Sequence, residues 1–117
     1  MKKKAIIISI KSTTLTSKEK LLLAKEKPWG LILFKRNIKS SIQTKKLINN
    51  IRNYTKDKRF PILIDEEGFS VSRLREFFNH NVNANYFGNL YKINKKIAVN
   101  LYKSYLRSLS EELKKLG

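Results

Sequence analysis

The sequence has no cysteine, four glycines, two prolines, a single histidine and only nine acidic residues in 117. Without cysteine there is no disulfide staple, thiolate metal site or cysteine nucleophile, and a reducing compartment is the natural setting. The glycines form neither a G-x-G-x-x-G turn nor a P-loop, which argues against dinucleotide and nucleotide binding, and no histidine or cysteine cluster has zinc spacing. No apolar run approaches the roughly 18 to 20 residues of a bilayer span. Met1-Lys2-Lys3-Lys4 followed by Ala5 to Ile10 imitates a secretory leader, but the run stops at Lys11 without a small-residue cleavage site. The expectation is a cytoplasmic, soluble chain with no membrane span, no cofactor and no metal.

The scarcity of acids leaves a formal charge of +17 and a pI near 10.2. Such a balance ordinarily points to nucleic acid or an anionic surface. Here lysine, isoleucine and asparagine, all with AT-rich codons, make up 44 of the 117 residues. Genome composition therefore accounts for much of the charge. The lysines are spread along the chain, and no RNA-binding signature, zinc finger or basic zipper accompanies them. The reading is a solvated basic surface without specific nucleic-acid binding; a small basic nucleic-acid-binding protein without catalytic activity is the alternative.

Ala5 to Ile10 is a β-branched run suited to a strand buried on both faces of a parallel sheet. Thr16 and Glu19 form a capping-box pattern that opens a helix over about Ser17 to Lys27, which Pro28 ends. Trp29 to Phe34 is a second strand run, bounded by Lys35-Arg36-Asn37; Trp29 and Phe34 read as core or barrel residues rather than ligand-stacking platforms. Ser40 and Gln43 repeat the capping box, and Leu47, Ile48, Ile51 and Tyr54 mark one buried helical face. Phe60 to Ile64 is a third strand. An irregular Asn-rich stretch over 79–89 follows, and then an apolar stripe of Ile93, Ile97, Leu101, Tyr105, Leu109, Leu113 and Leu116 predicts one long amphipathic helix. The order of elements is that of parallel βα units.

Asp65, Glu66 and Glu67 stand at the C-terminal end of the third strand, the side on which parallel α/β folds bind ligands. Gly68 lets the loop turn sharply there. A polar loop capping the next turn would carry the same residues, and the acids could also hold a hard cation such as Mg²⁺.

Two segments resemble a known family. Trp29 to Asn37 is similar to the G-G-L-I-L-F-x-R-N strand of bacterial family 3 glycoside hydrolases of the β-N-acetylhexosaminidase type, and Ile64 to Arg73 to their D-x-E-G-G-R-V-x-R segment. Gln43, Leu47, Ile51 and Arg52 fit the Q-L-x-x-L-x-x-x-I-R helix between them, and Leu15 to Glu19 the helix start before it. The resemblance covers roughly residues 10 to 78.

It implies an α/β fold, the N-terminal three βα units of a TIM-type (β/α) barrel, with residues 1–117 as a partial, truncated barrel domain. It further implies a glycosidase parent that hydrolyses terminal β-linked N-acetylhexosamine, with cell-wall recycling sugars as substrates. Asp65 and Arg73 would bind the sugar in the terminal subsite, while Glu67, as a hydrogen-bond acceptor, and Gly68 would organise the loop. The chain departs from the pattern at Phe69-Ser70, where the family has Gly-Arg, and at Asn79-His80-Asn81, where it has a Leu-Pro step. The family's aspartate nucleophile and histidine acid/base loop have no match here, so the chain carries no catalytic residue and is expected to be inactive alone. Truncation would also favour self-association through open sheet edges. His80 reads as a surface histidine.

Overall fold

The computed structural model describes residues 2–68, 70–80 and 82–117. The elements run β1 (Lys4–Ile8), α1 (Ser17–Glu26), β2 (Pro28–Leu33), a 3₁₀ turn at Lys35–Asn37, α2 (Ser41–Thr55), β3 (Ile62–Ile64), α3 (Ala84–Ile93) and α4 (Lys95–Leu116). The strands form a parallel sheet in the order β1-β2-β3. Consecutive parallel neighbours need long crossovers, which α1 and α2 supply. The α/β class follows from this pattern.

The helix ends are written locally. Thr16 Oγ1 accepts from Glu19 N, and the Glu19 carboxylate accepts from Thr16 N, closing the expected capping box. At α2 the cap is half as expected: Ser40 Oγ accepts from Gln43 N, but Gln43 Oε1 accepts from Lys39 N rather than from the cap's own amide. Its Nε2 is drawn to Thr13 O and Asn37 O, so the residue ties two loops together.

In β2, Leu31 and Leu33 are buried against Leu23 of α1 and Leu47 and Ile51 of α2, and Phe60 and Leu74 complete this core. Cross-strand partners share a face. Ile8, Leu31 and Ile62 therefore form one row toward the core, while Ile32 and Leu63 form part of the opposite face. Gly30 allows β2 and β3 to approach: a Cβ there would lie 3.1 Å from Pro61 O and 3.3 Å from Leu63 Cδ1.

Four expectations need correction. β1 is not buried on both faces, since among the described residues it is an edge strand paired with β2 alone; Ile6 is 52% exposed and Ile7 is exposed too. Trp29 is exposed at the start of β2 and Tyr54 at the end of α2, both outside the core. Part of the Asn-rich stretch is helical. Asn83 caps α3 through Tyr86 N, and Asn94 separates α3 from α4 by capping the latter through Ile97 N. Asparagine side chains bond readily to nearby amides, which makes them helix starts as well as loop residues. Finally, only the C-terminal part of the apolar stripe is covered: Leu109 and Leu116 are buried and Leu113 packs on the core, whereas Ile93, Ile97 and Leu101 are exposed. α3 and the first turns of α4 project from the body, giving a radius of gyration of 16.9 Å, against about 13 Å for a compact chain of this length.

Candidate functional site

The C-terminal ends of β1 and β2 are bound together by the Arg36-Asn37 pair. Asn37 is fully buried; its Oδ1 accepts from Phe34 N, and its Nδ2 donates to Ile10 O and Ser12 O. Arg36 donates from Nε to Ile10 O and from Nη2 to Ser9 Oγ. Four of these five bonds fix the loop after β1 to the end of β2, and the fifth, from Phe34 N, holds Asn37 in place.

Beyond β3, burial alternates as in a strand. The Asp65 side chain is 47% exposed, that of Glu66 is 4% exposed and Glu67 is exposed. Asp65 and Glu67 thus face out, and Glu66 faces in. Gly68 has φ 111°, where L side chains seldom sit, and Glu67 N donates to Val71 O across the turn. The chain then returns so that Arg73 Nη2 lies 4.0 Å from Asp65 Oδ2, with the guanidinium 6.0 Å from the centre of the Phe34 ring. Arg36 stacks on the same ring at 4.7 Å. The structure therefore brings together the two residues singled out as sugar ligands. At 4.0 Å they are too far apart for a hydrogen bond, so both keep capacity for a ligand's hydroxyl groups.

The side chain that organises this loop is Glu66, in place of the expected Glu67. Glu66 Oε2 accepts from Arg73 N at 2.8 Å and Leu74 N at 3.1 Å, and Oε1 meets His80 Nε2 at 2.5 Å. Glu67 serves the loop through its backbone N–H. His80 is not a surface residue: it is 3% exposed, edge-on to Phe78, and its Nδ1 contacts the Tyr105 hydroxyl of α4. Burial raises the Tyr105 pKa above its ordinary value, and the Glu66 carboxylate and Tyr102 push the same way. Sequence reasoning missed Glu66, His80 and Tyr105 as a group because they are separated by 14 and 25 positions. The departure at Phe69 lies outside the described residues, as does Asn81.

No glycosidic bond can be flanked by acids from this one loop, since a nucleophile and a proton donor must stand on opposite sides of it. Among the described residues no group of three or more His, Cys, Asp or Glu could hold a metal ion, and no helix is long and apolar enough to cross a membrane.

No protein-family model matches the chain. A β-hexosaminidase of Thioalkalivibrio sulfidiphilus is 34% identical over 89 residues, which are 76% of this chain and 25% of that protein. The crystal structure of native NagZ from Neisseria gonorrhoeae superposes with a TM-score of 0.88 at 29% identity, covering 98% of this chain and 33% of that one. The chain is thus similar to part of a β-hexosaminidase. A second NagZ structure from the same organism, in complex with N-trifluoroacetyl-D-glucosamine, matches 79% of this chain and 26% of its own length, with a TM-score of 0.71 and 29% identity. The chain spans about a quarter of the length of the curated relatives it matches.

Proposed function

We propose that this hexosaminidase-like chain supplies part of the terminal sugar subsite of a family 3 β-N-acetylhexosaminidase, as the first three βα units of a TIM-type barrel. Asp65 accepts hydrogen bonds from sugar hydroxyls and Arg73 donates to the same ring. The observation that carries this reading is the approach of Arg73 to Asp65 at the C-terminal end of β3. Parallel α/β folds place their ligands on this side, and the NagZ structure determined with an N-acetylglucosamine analogue points to the same class of ligand. The whole enzyme's reaction would be hydrolysis of terminal β-linked N-acetylhexosamine in cytoplasmic cell-wall recycling, with nucleophile and acid from parts of the barrel that have no counterpart in this chain.

The relatives found do not support the nucleic-acid alternative. The basic surface is read as a composition effect, and the exposed edge of β1 as a surface for self-association of the isolated chain.

The test is an NMR titration of the isotopically labelled chain with N-acetylglucosamine. Weak, saturable shifts at Phe34, Asp65 and Arg73 are expected, and Asp65→Ala should abolish them. Shifts confined to other surfaces, or unchanged by Asp65→Ala, would refute the assignment.

A further inference from the structure

We propose that the buried series Glu66, His80 and Tyr105 is the positioning device of the sugar site, setting the place of Arg73 from α4; the inference rests on reading Asp65 and Arg73 as a sugar subsite.

The segment between β3 and α3 has no regular secondary structure in its described residues, so no ladder dictates its path. Its backbone donors must find other acceptors. Two of them, the N–H groups of Arg73 and Leu74, go to one carboxylate oxygen of Glu66. Leu74 is fully buried in the core. Arg73 is thus held at its own amide and by an anchored neighbour, which fixes the point on the rim from which its side chain reaches toward Asp65.

Glu66 can clamp these amides only if its own carboxylate is held. Its second oxygen meets His80 Nε2, and both side chains are almost entirely removed from water, at 4% and 2% exposure. A buried polar group without its partner is costly, so neither can swing away alone. The other ring nitrogen of His80 faces the Tyr105 hydroxyl. One arrangement satisfies all three groups: Tyr105 donates to Nδ1, and Nε2–H donates to Glu66. Tyr105 belongs to α4, which is anchored one turn further on by Leu109 and then by Leu113 and Leu116. The path therefore runs from the core-packed half of α4, through a phenol, an imidazole and a carboxylate, to the backbone of a sugar ligand. His80 and Tyr105 touch no substrate in this scheme. They act through Glu66.

The experiment combines amide hydrogen exchange with the N-acetylglucosamine titration in the full chain and four variants: His80→Ala, Tyr105→Phe, Glu66→Leu and Glu66→Gln. Protected amides are expected at Arg73 and Leu74. His80→Ala and Glu66→Leu should speed their exchange and weaken the sugar at least tenfold, with α2 amides unchanged. Tyr105→Phe, which keeps the ring, should give a smaller change of the same sign. Glu66→Gln retains a carbonyl acceptor and should restore most of the protection, which a side chain that merely fills space would not require. Unchanged protection of Arg73 and Leu74 in His80→Ala would overturn the inference, as would equal loss in Glu66→Gln and Glu66→Leu. If His80→Ala loses α2 protection as well, the Tyr105→Phe and Glu66→Gln results decide. A wild-type chain that binds no sugar but shows this exchange pattern would remove the sugar reading and leave the clamp on Arg73 standing.

Discussion

Asn37 donates its side-chain amide to the carbonyl of Ile10, 27 positions earlier, while a second proton of the same amide reaches Ser12 O. Its carbonyl oxygen accepts from Phe34 N. One buried side chain thus satisfies three backbone groups from two loops. Asn37→Ala should destabilise the chain by about 3 kcal/mol, roughly one per lost bond, read as a lower urea midpoint. Asn37→Asp should be worse at neutral pH, because it sets a buried carboxylate against two carbonyl oxygens.

At Gly30 the limit is space. A Cβ would approach Pro61 O, and that oxygen already accepts from Leu31 N, so it cannot retreat without stretching a bond between the strands. Gly30→Val should cost about 1–3 kcal/mol, as overpacking does, and Gly30→Ala less. Thermal unfolding measures both; a Val variant as stable as the parent would mean that β2 and β3 are not held this closely.

The capping box sets a pH dependence. Burial by itself would raise the Glu19 pKa, but the amides of Thr16 and Lys11 and the Thr16 hydroxyl outweigh it, and the net shift is downward. A depressed carboxyl stabilises the fold fully above its unfolded value, about 4.3, and loses that contribution as pH falls through the folded value. Glu19→Gln should therefore lower stability at pH 7 and approach the parent's stability in acid. A deficit that is constant with pH would place the effect elsewhere.

Purified chain should show no turnover of a chromogenic N-acetylglucosaminide above background. The acids at the end of β3 share one loop, and His80 is enclosed between Glu66 and Tyr105. Measurable turnover lost in Asp65→Ala would contradict this.

The +17 charge should give salt-sensitive, sequence-independent retention on DNA at low ionic strength and no more. Near physiological salt, sequence-dependent binding tighter than about 10⁻⁷ M, in the range of specific recognition, would restore the nucleic-acid reading.

The sequence by itself determined whatever depends on near neighbours. Thr16 with Glu19 and Ser40 with Gln43 announced two helices, because the bonds that start a helix reach only three residues. Apolar runs located three strands, and the acids after Ile64 fell at the C-terminal end of the third. Tertiary structure alone decided which of three consecutive acids turns inward, since Asp65, Glu66 and Glu67 are nearly the same chemically and differ only in the direction the backbone gives them. It also decided that His80 is buried, because its partners are a carboxylate 14 residues before it and a phenol 25 residues after it. The exposure of Ile6, Ile97 and Leu101 was settled in the same way. Apolar periodicity records which face of an element is able to be buried; which elements pack against that face is a property of the folded chain.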